Sequence, residues 1–308
     1  MAAADKVKRR DFLKRSAATA FALALPASGS AEPAAMLRRR IPATSEEIPV
    51  IGLGTSHEFD RLPPGGTEQL KAVLTTLVEQ GGSLIDTSPL YGDSELKLGG
   101  FFDELDLHEA IFMSTKIRAS GVQAGLRSME RSQTLLGKNP LDLIMVHSLL
   151  DVDTQLKNLQ QWKEAGRVRY IGITTSRSGG HERMESLIRS GGLDFVQVNY
   201  SPFETEADER VIPAAADHGV AVMTNRAFGN GAYFRRTRGH NLPAWAADFD
   251  CESWAQFSLK FVLGNADVSC ALAATSSPQH VLDNARAGIG RLPDAATRAR
   301  IVQHLRTL

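Results

Sequence analysis

The chain has 308 residues, 43% of them hydrophobic and 23% charged, with 35 basic and 35 acidic side chains. That length is ample for one large core, and the composition is that of an ordinary globular protein rather than a disordered or fibrous one. Residues 1–35 hold six Lys/Arg against three Asp/Glu, so the rest carries a net charge of −3 and offers no basic surplus for nucleic acid.

The first element in chain order is a leader. Lys8-Arg9-Arg10-Asp11-Phe12-Leu13-Lys14 precedes an Ala-rich apolar run, Ala17 to Leu25, and then Pro26 and a stretch of small residues. Charged, apolar and small segments in that order mark an export signal. The apolar run is shorter than the roughly 20 residues a spanning helix needs. The paired arginines followed by Asp-Phe-Leu-Lys resemble the twin-arginine signal, which implies transfer by the twin-arginine export machinery and a periplasmic or otherwise exported location. Residues 1–35 are read as this signal and its linker, with cleavage between Pro26 and Ala35. No later segment is apolar enough for a stable membrane span.

From Ile48 onward short apolar runs alternate with longer amphipathic ones, the rhythm of a parallel sheet wrapped in helices. Strands are expected at Val50–Thr55, Ser83–Ser88, Ile111–Ile117, Leu143–Ser148, Arg169–Thr175, Phe195–Tyr200, Ala221–Asn225 and Cys270–Thr275. Several are nearly continuous Val, Ile and Leu, as strands covered on both faces require. Helices are expected at Glu68–Glu79, Glu95–Glu104, Gln123–Leu136, Gln155–Glu164, Glu182–Ile188, Glu209–Asp217, Trp254–Val262 and Pro278–Arg286. Gly81, Gly137, Gly166, Gly191, Gly219 and Gly264 follow helices where a left-handed cap is wanted. Residues 226–251 form the longest gap without an obvious element and are read as a cover for a site. Eight βα units in one domain, residues 48–308, fit a closed (β/α)8 TIM barrel of the α/β class. An open doubly wound sheet fits less well, since no GxGxxG turn follows Gly52 and Gly54. Cys251 and Cys270 have no metal-like spacing and are read as buried free thiols, with a single bridge between them as the alternative.

Reacting groups of such barrels lie at the C-terminal ends of strands. Asp86 ends the second strand, Tyr91 lies in the loop after it, Lys116 ends the third and His147 the fourth. A tyrosine alone titrates near 10 and is a poor acid at neutral pH. A lysine ammonium beside it favours the phenolate, and a carboxylate holds that lysine charged. A histidine can donate a hydrogen bond that orients a carbonyl oxygen. His57 and Phe59, just after the first strand, are candidates for the substrate mouth. His108, His181, His218, His240 and His304 form no metal-ligand pattern, and no catalytic metal is implied.

These motifs resemble a known family. Asp86-Thr87-Ser88-Pro89-Leu90-Tyr91-Gly92, continuing to Glu95 and Gly99, is similar to the signature of the aldo-keto reductases. Ser114-Thr115-Lys116, Val146-His147-Ser148 and Ile51-Gly52-Leu53-Gly54-Thr55 match its lysine, histidine and first-strand motifs. The resemblance implies reduction of an aldehyde, ketone or sugar-like carbonyl by a nicotinamide cofactor. Tyr91 is then the general acid, Lys116 its tuning cation, Asp86 the partner of Lys116, and His147 the group that positions the carbonyl.

The resemblance also implies a cofactor site. Thr174, Thr175 and Gln197 fall where the family holds the nicotinamide amide, with Gly54, Thr55 and Asp86 nearby. Asn225 replaces a stacking aromatic, Arg226 is placed to contact the pyrophosphate, Gly229 and Gly231 let the backbone approach the phosphates, and Phe228 is counted with the cofactor site. Thr275, Ser276 and Ser277 open a helix whose N–H groups suit phosphate. Ala274 and His280 stand where a Lys and an Arg often grip the adenosine phosphate, whereas Asp283 and Asn284 match the residues holding adenine. NADP is the expected cofactor, with NAD the alternative. A second reading is a nicotinamide-nucleotide-binding sensor or partner subunit with vestigial redox activity.

Overall fold

A computed structural model describes residues 35–308. Residues 1–34, and with them nearly all of the expected leader, lie outside the described part. Ten strands and ten α-helices follow in chain order. Strands β1 (Arg38–Arg40) and β2 (Glu47–Pro49) form an antiparallel hairpin. The remaining strands are β3 (Ile51–Gly54), β4 (Leu84–Asp86), β5 (Phe112–Ile117), β6 (Leu141–His147), β7 (Val168–Thr175), β8 (Phe195–Asn199), β9 (Ala221–Asn225) and β10 (Cys270–Ala274). These eight are parallel neighbours in sequence order, and β10 closes on β3 to complete a barrel.

The helices are α1 (Gly66–Glu79), α2 (Ser94–Leu105), α3 (Val122–Leu136), α4 (Val152–Glu164), α5 (His181–Ser190), α6 (Val211–Asp217), α7 (Ala232–Thr237), α8 (Trp254–Leu263), α9 (Pro278–Arg286) and α10 (Ala295–Thr307). Each of the eight strands and eight helices expected from the sequence is present, within a few residues at either end. The hairpin, α7, α10 and a 3-10 turn at Ala244–Phe249 are additional. The expected lid over 226–251 is therefore partly helical rather than an open loop. Gly81, Gly137, Gly166, Gly191 and Gly219 take positive φ after their helices. Gly264 does not: its φ of −64° is helical, and it ends α8 without a left-handed cap.

Side chains alternate across each strand, and this places the chemistry. The barrel interior is filled from below by Leu84, Phe112, Leu143, Met145, Tyr170, Phe195, Met223, Cys270 and Leu272. Two or four residues further along the same faces come Asp86, Lys116, His147, Thr174, Gln197, Asn225 and Ala274. An apolar plug thus gives way to a polar layer at the C-terminal mouth. The inward position of β3 is Gly52, where a Cβ would come within 2.9 Å of the Leu272 side chain and 3.0 Å of Leu84. A side chain there would have to displace the tips of those two leucines.

The hairpin stoppers the opposite end. Ile41 and Ile48 join the interior cluster, 0% and 1% exposed. Arg39 fastens them from outside, donating to the carbonyls of Leu263 at 2.6 Å, Asn265 at 2.9 Å and Val268. A cavity of about 530 Å³ beside the hairpin is lined by charges already paired with one another, among them Arg169, Asp142 and Lys138. Among the described residues no helix is long and apolar enough to cross a membrane.

Candidate active site

The polar layer opens into a cavity of about 670 Å³ whose wall includes Asp86, Tyr91, His147, Thr174, Gln197 and Asn225. Asp86 and Lys116 come from neighbouring strands in register, Asp86 opposite Ser114, so Lys116 reaches back across one strand. Its Nζ donates to Asp86 Oδ2 at 2.6 Å and to the Thr87 carbonyl at 2.8 Å. The other carboxylate oxygen accepts from the Ser114 hydroxyl at 2.8 Å. Both ionic side chains are almost sealed from water, at 1% and 6% exposure. Each charge has its partner and hydrogen bonds, the condition for burying an ion pair.

Tyr91 lies over this pair. Lys116 Nζ sits 5.2 Å from the centre of the Tyr91 ring. The His147 ring stands edge-on to Tyr91, centroids 6.3 Å apart at 89°. Burial, reinforced by the Lys116 charge, pushes the His147 imidazole down to about 4, so the ring is neutral at physiological pH. The four residues the sequence singled out for chemistry therefore meet at one point.

The loop from Tyr91 into α2 is anchored from behind. Thr115, which points away from the barrel axis between Ser114 and Lys116, donates to Glu95 Oε1 at 2.6 Å. Burial raises the Glu95 carboxyl. At Gly99 a Cβ would lie 2.0 Å from the Leu135 carbonyl oxygen, so α2 can approach α3 only there without a side chain.

The expected cofactor residues divide. Thr174 faces inward and donates to Gln197 Oε1 at 3.0 Å. Gln197 Nε2 and Asn225 Oδ1 are buried with no partner among the described residues. One is a donor and the other an acceptor, a pair complementary to a carboxamide. Gly54, Thr55, Arg226 and Phe228 also line the cavity. A contiguous recess of about 310 Å³ adds Thr275, His280, Asp283 and Asn284 beneath Phe228, Phe234 and Trp254. Among its lining residues there is neither lysine nor arginine. Asp283 is fixed by Ser253 and Gln256, each donating at 2.7 Å.

Five expected cofactor and substrate residues lie off the cavity walls. Thr175 faces the outside of the barrel because it follows the inward Thr174, and its hydroxyl accepts from the Arg177 N–H. Phe59 is 0% exposed and belongs to the core between sheet and helices, so it does not line the mouth; His57 does. Ser276 and Ser277 stand at the start of α9 beside the wall rather than on it. The Ser277 N–H is taken by the Thr275 hydroxyl at 3.0 Å, and the Ser276 hydroxyl donates to Glu58 at 2.8 Å. Gly229, at φ 51°, shapes the turn whose next residues, Asn230 and Gly231, reach the cavity.

Several residues on the walls escaped the sequence reading. Phe234 was hidden by the unassigned gap around it, and Trp254 was read only as the first residue of a helix. Glu58 carried no motif. Ser88, inside the signature, had no assigned task. Both cysteines are buried free thiols, and burial lifts Cys251 to about 12. No cluster of three metal-binding side chains occurs among the described residues.

Comparison with known proteins agrees with this geometry. The model of the Aldo/keto reductase family matches residues 50–304. The chain is 28% identical over 204 residues to the aldo-keto reductase YhdN of Bacillus subtilis (strain 168), covering 59% of each chain. It is 25% identical over 213 residues to the aldo-keto reductase yakc [NADP(+)] of Schizosaccharomyces pombe, covering 61% of this chain and 62% of that one. The chain thus spans about three fifths of the length of these curated relatives. In fold it is similar to an aldo-keto reductase from Klebsiella pneumoniae in complex with NADPH, with a TM-score of 0.73 at 21% identity, covering 88% of this chain and 96% of that one. With a barrel whose mouth gathers Asp86, Tyr91, Lys116 and His147, and a family match running through nearly the whole of it, this chain belongs to the aldo/keto reductase family.

Proposed function

We propose that the protein reduces a carbonyl compound, an aldehyde, ketone or sugar-like molecule, with NADPH, and that Tyr91 supplies the proton. The observation that carries this reading is the convergence of Tyr91, His147 and the buried Asp86–Lys116 pair on one cavity. NADP is favoured by the relatives: one is named for NADP(+) and one structure is a complex with NADPH.

The cofactor would lie with its carboxamide against Gln197 and Asn225, whose unpaired donor and acceptor match it, and its adenosine end in the recess under Phe228 and Phe234. When bound, it supplies the hydride. The chain's own residues handle the oxygen. The Tyr91 hydroxyl donates its proton to the carbonyl oxygen as negative charge develops there. The Lys116 ammonium, held charged by Asp86, stabilises the phenolate left behind. Neutral His147 gives a hydrogen bond that aligns the carbonyl and carries no competing acid. The low dielectric of the sealed layer strengthens each of these interactions.

Purified protein mixed with NADPH and a panel of aldehydes, ketones and aldoses should oxidise the nucleotide with at least one of them. Tight NADPH binding with no turnover across the panel would favour the sensor reading instead. We further propose export by the twin-arginine route, supported by the Lys8–Lys14 motif, with the nucleotide loaded before transfer. Protein recovered from the periplasm should then carry bound nucleotide, and material that neither carries nor binds one would contradict loading.

A further inference from the structure

Ser88 is fully buried between Asp86 and Tyr91, the two residues whose positions matter most. Its Oγ accepts the backbone N–H of Leu90 at 3.2 Å and lies 3.2 Å from Nδ1 of His147. A serine hydroxyl has one proton to give and two lone pairs to offer. Leu90 takes one lone pair. Among the described residues the hydroxyl makes no further hydrogen bond, so Nδ1 of His147 is the acceptor within its reach. Were Nδ1 itself protonated, serine and histidine would both be donors, and the Ser88 proton would be buried without a partner. A doubly protonated ring fails for the same reason, and burial beside Lys116 keeps the imidazole neutral down to about pH 4.

We propose that Ser88 is a positioning residue that fixes His147 as its Nε2–H tautomer, leaving a hydrogen-bond donor to face the carbonyl oxygen of the substrate. The inference rests on the reading of His147 as the group that orients that oxygen. Its logic is one of sign. A ring protonated on Nδ1 presents a lone pair at Nε2, which repels the developing oxyanion instead of binding it. The His147 ring packs edge-on against Tyr91, and both side chains line the cavity that would receive the carbonyl. Ser88 thereby couples the backbone turn that carries Tyr91, through the Leu90 N–H, to the protonation pattern of a residue on another strand.

The full chain labelled with 15N-histidine tests this in the resting protein, with the His147 signals identified by their loss in His147→Gln. The expected spectrum has a protonated Nε2 and a bare, hydrogen-bonded Nδ1. Protonation of Nδ1 would overturn the proposal. In Ser88→Ala the Nδ1 resonance should move as its donor is lost. Carbonyl reduction should fall about tenfold in kcat, the scale of one lost neutral hydrogen bond, with NADPH affinity unchanged. An unmoved Nδ1 resonance, or unaltered kcat, would equally overturn it. Because the tautomer is read without turnover, failure here is distinct from failure of the reductase assignment, which depends on Tyr91.

Discussion

The Asp86–Lys116 pair is both the most buried ionic contact in the described chain and the electrostatic floor of the site. Removing one partner leaves the other charge in a dry environment, and Lys116→Met should cost about 3–5 kcal/mol of stability in urea unfolding. Asp86→Asn combined with Lys116→Met removes both charges and should recover much of that loss while leaving reduction abolished. Recovery of stability without activity would show that the pair is retained for chemistry. His147 gives a pH signature. Its folded value of about 4 lies below the unfolded 6.5, so the unfolded chain binds more protons between those limits. The neutral-ring contribution is complete above 6.5 and is lost as pH falls toward 4, by about 3 kcal/mol at most. His147→Gln should lose less stability than the parent over that interval; equal loss would contradict the burial argument. Asp86, Tyr91, Lys116 and His147 were legible as one cluster in the sequence because each ends, or closely follows, a strand that is easy to see. Ser88 was not: a hydroxyl inside a motif has no signature until the strand carrying His147 is brought beside it. Thr175 was misplaced for the converse reason, since neighbouring residues of a strand face opposite ways and only Thr174 faces inward.

At the scale of elements, glycine in the signature helix is a packing device. Gly99→Ala places a methyl 2.0 Å from the Leu135 carbonyl and should destabilise by about 1–3 kcal/mol by forcing α2 from α3. Because α2 carries the Tyr91 loop, kcat should drop with it; full stability and activity would mean the helices can separate freely. The hairpin offers a test remote from chemistry. Ile48→Ala opens a hole in the bottom of the barrel and should cost about 2–4 kcal/mol with little change in KM. All eight barrel strands were readable because burial on both faces keeps each short run predominantly apolar between its helices. The hairpin was not, since Arg38-Arg39-Arg40 shows no apolar alternation and owes its strand to carbonyls supplied from elsewhere in the chain. Helix α10 was missed because only Ile301 and Leu305 of its residues are fully buried, too few to set a period. The gap at 226–251 was read as a cover for the site; its residues up to Phe234 contribute to the cavity wall, and its helical pieces are too short to show a pattern.

For the whole molecule, the cavity and its side recess form one continuous trough across the barrel mouth, sharing Phe228, Phe234 and Ala274. A nucleotide that fills it should hold the mouth loops together. At a hundredfold excess over Kd, NADPH should raise stability by about 2.7 kcal/mol and Tm by roughly 5 °C. The missing lysine and arginine in the recess make NADH an informative comparison, since a 2′-phosphate finds only His280 as a basic group there. Outside the described residues, the twin-arginine proposal stands on its own test. Changing Arg9 and Arg10 together to lysine should retain the protein in the cytoplasm, and undiminished export would remove that proposal without touching the reductase.

The central claim is that Tyr91 delivers the proton. Tyr91→Phe removes one oxygen and leaves the Lys116–Asp86 pair and the nucleotide trough in place. Steady-state carbonyl reduction measured alongside NADPH binding should show turnover abolished and affinity kept. Turnover equal to the parent, with NADPH still bound, would contradict the account.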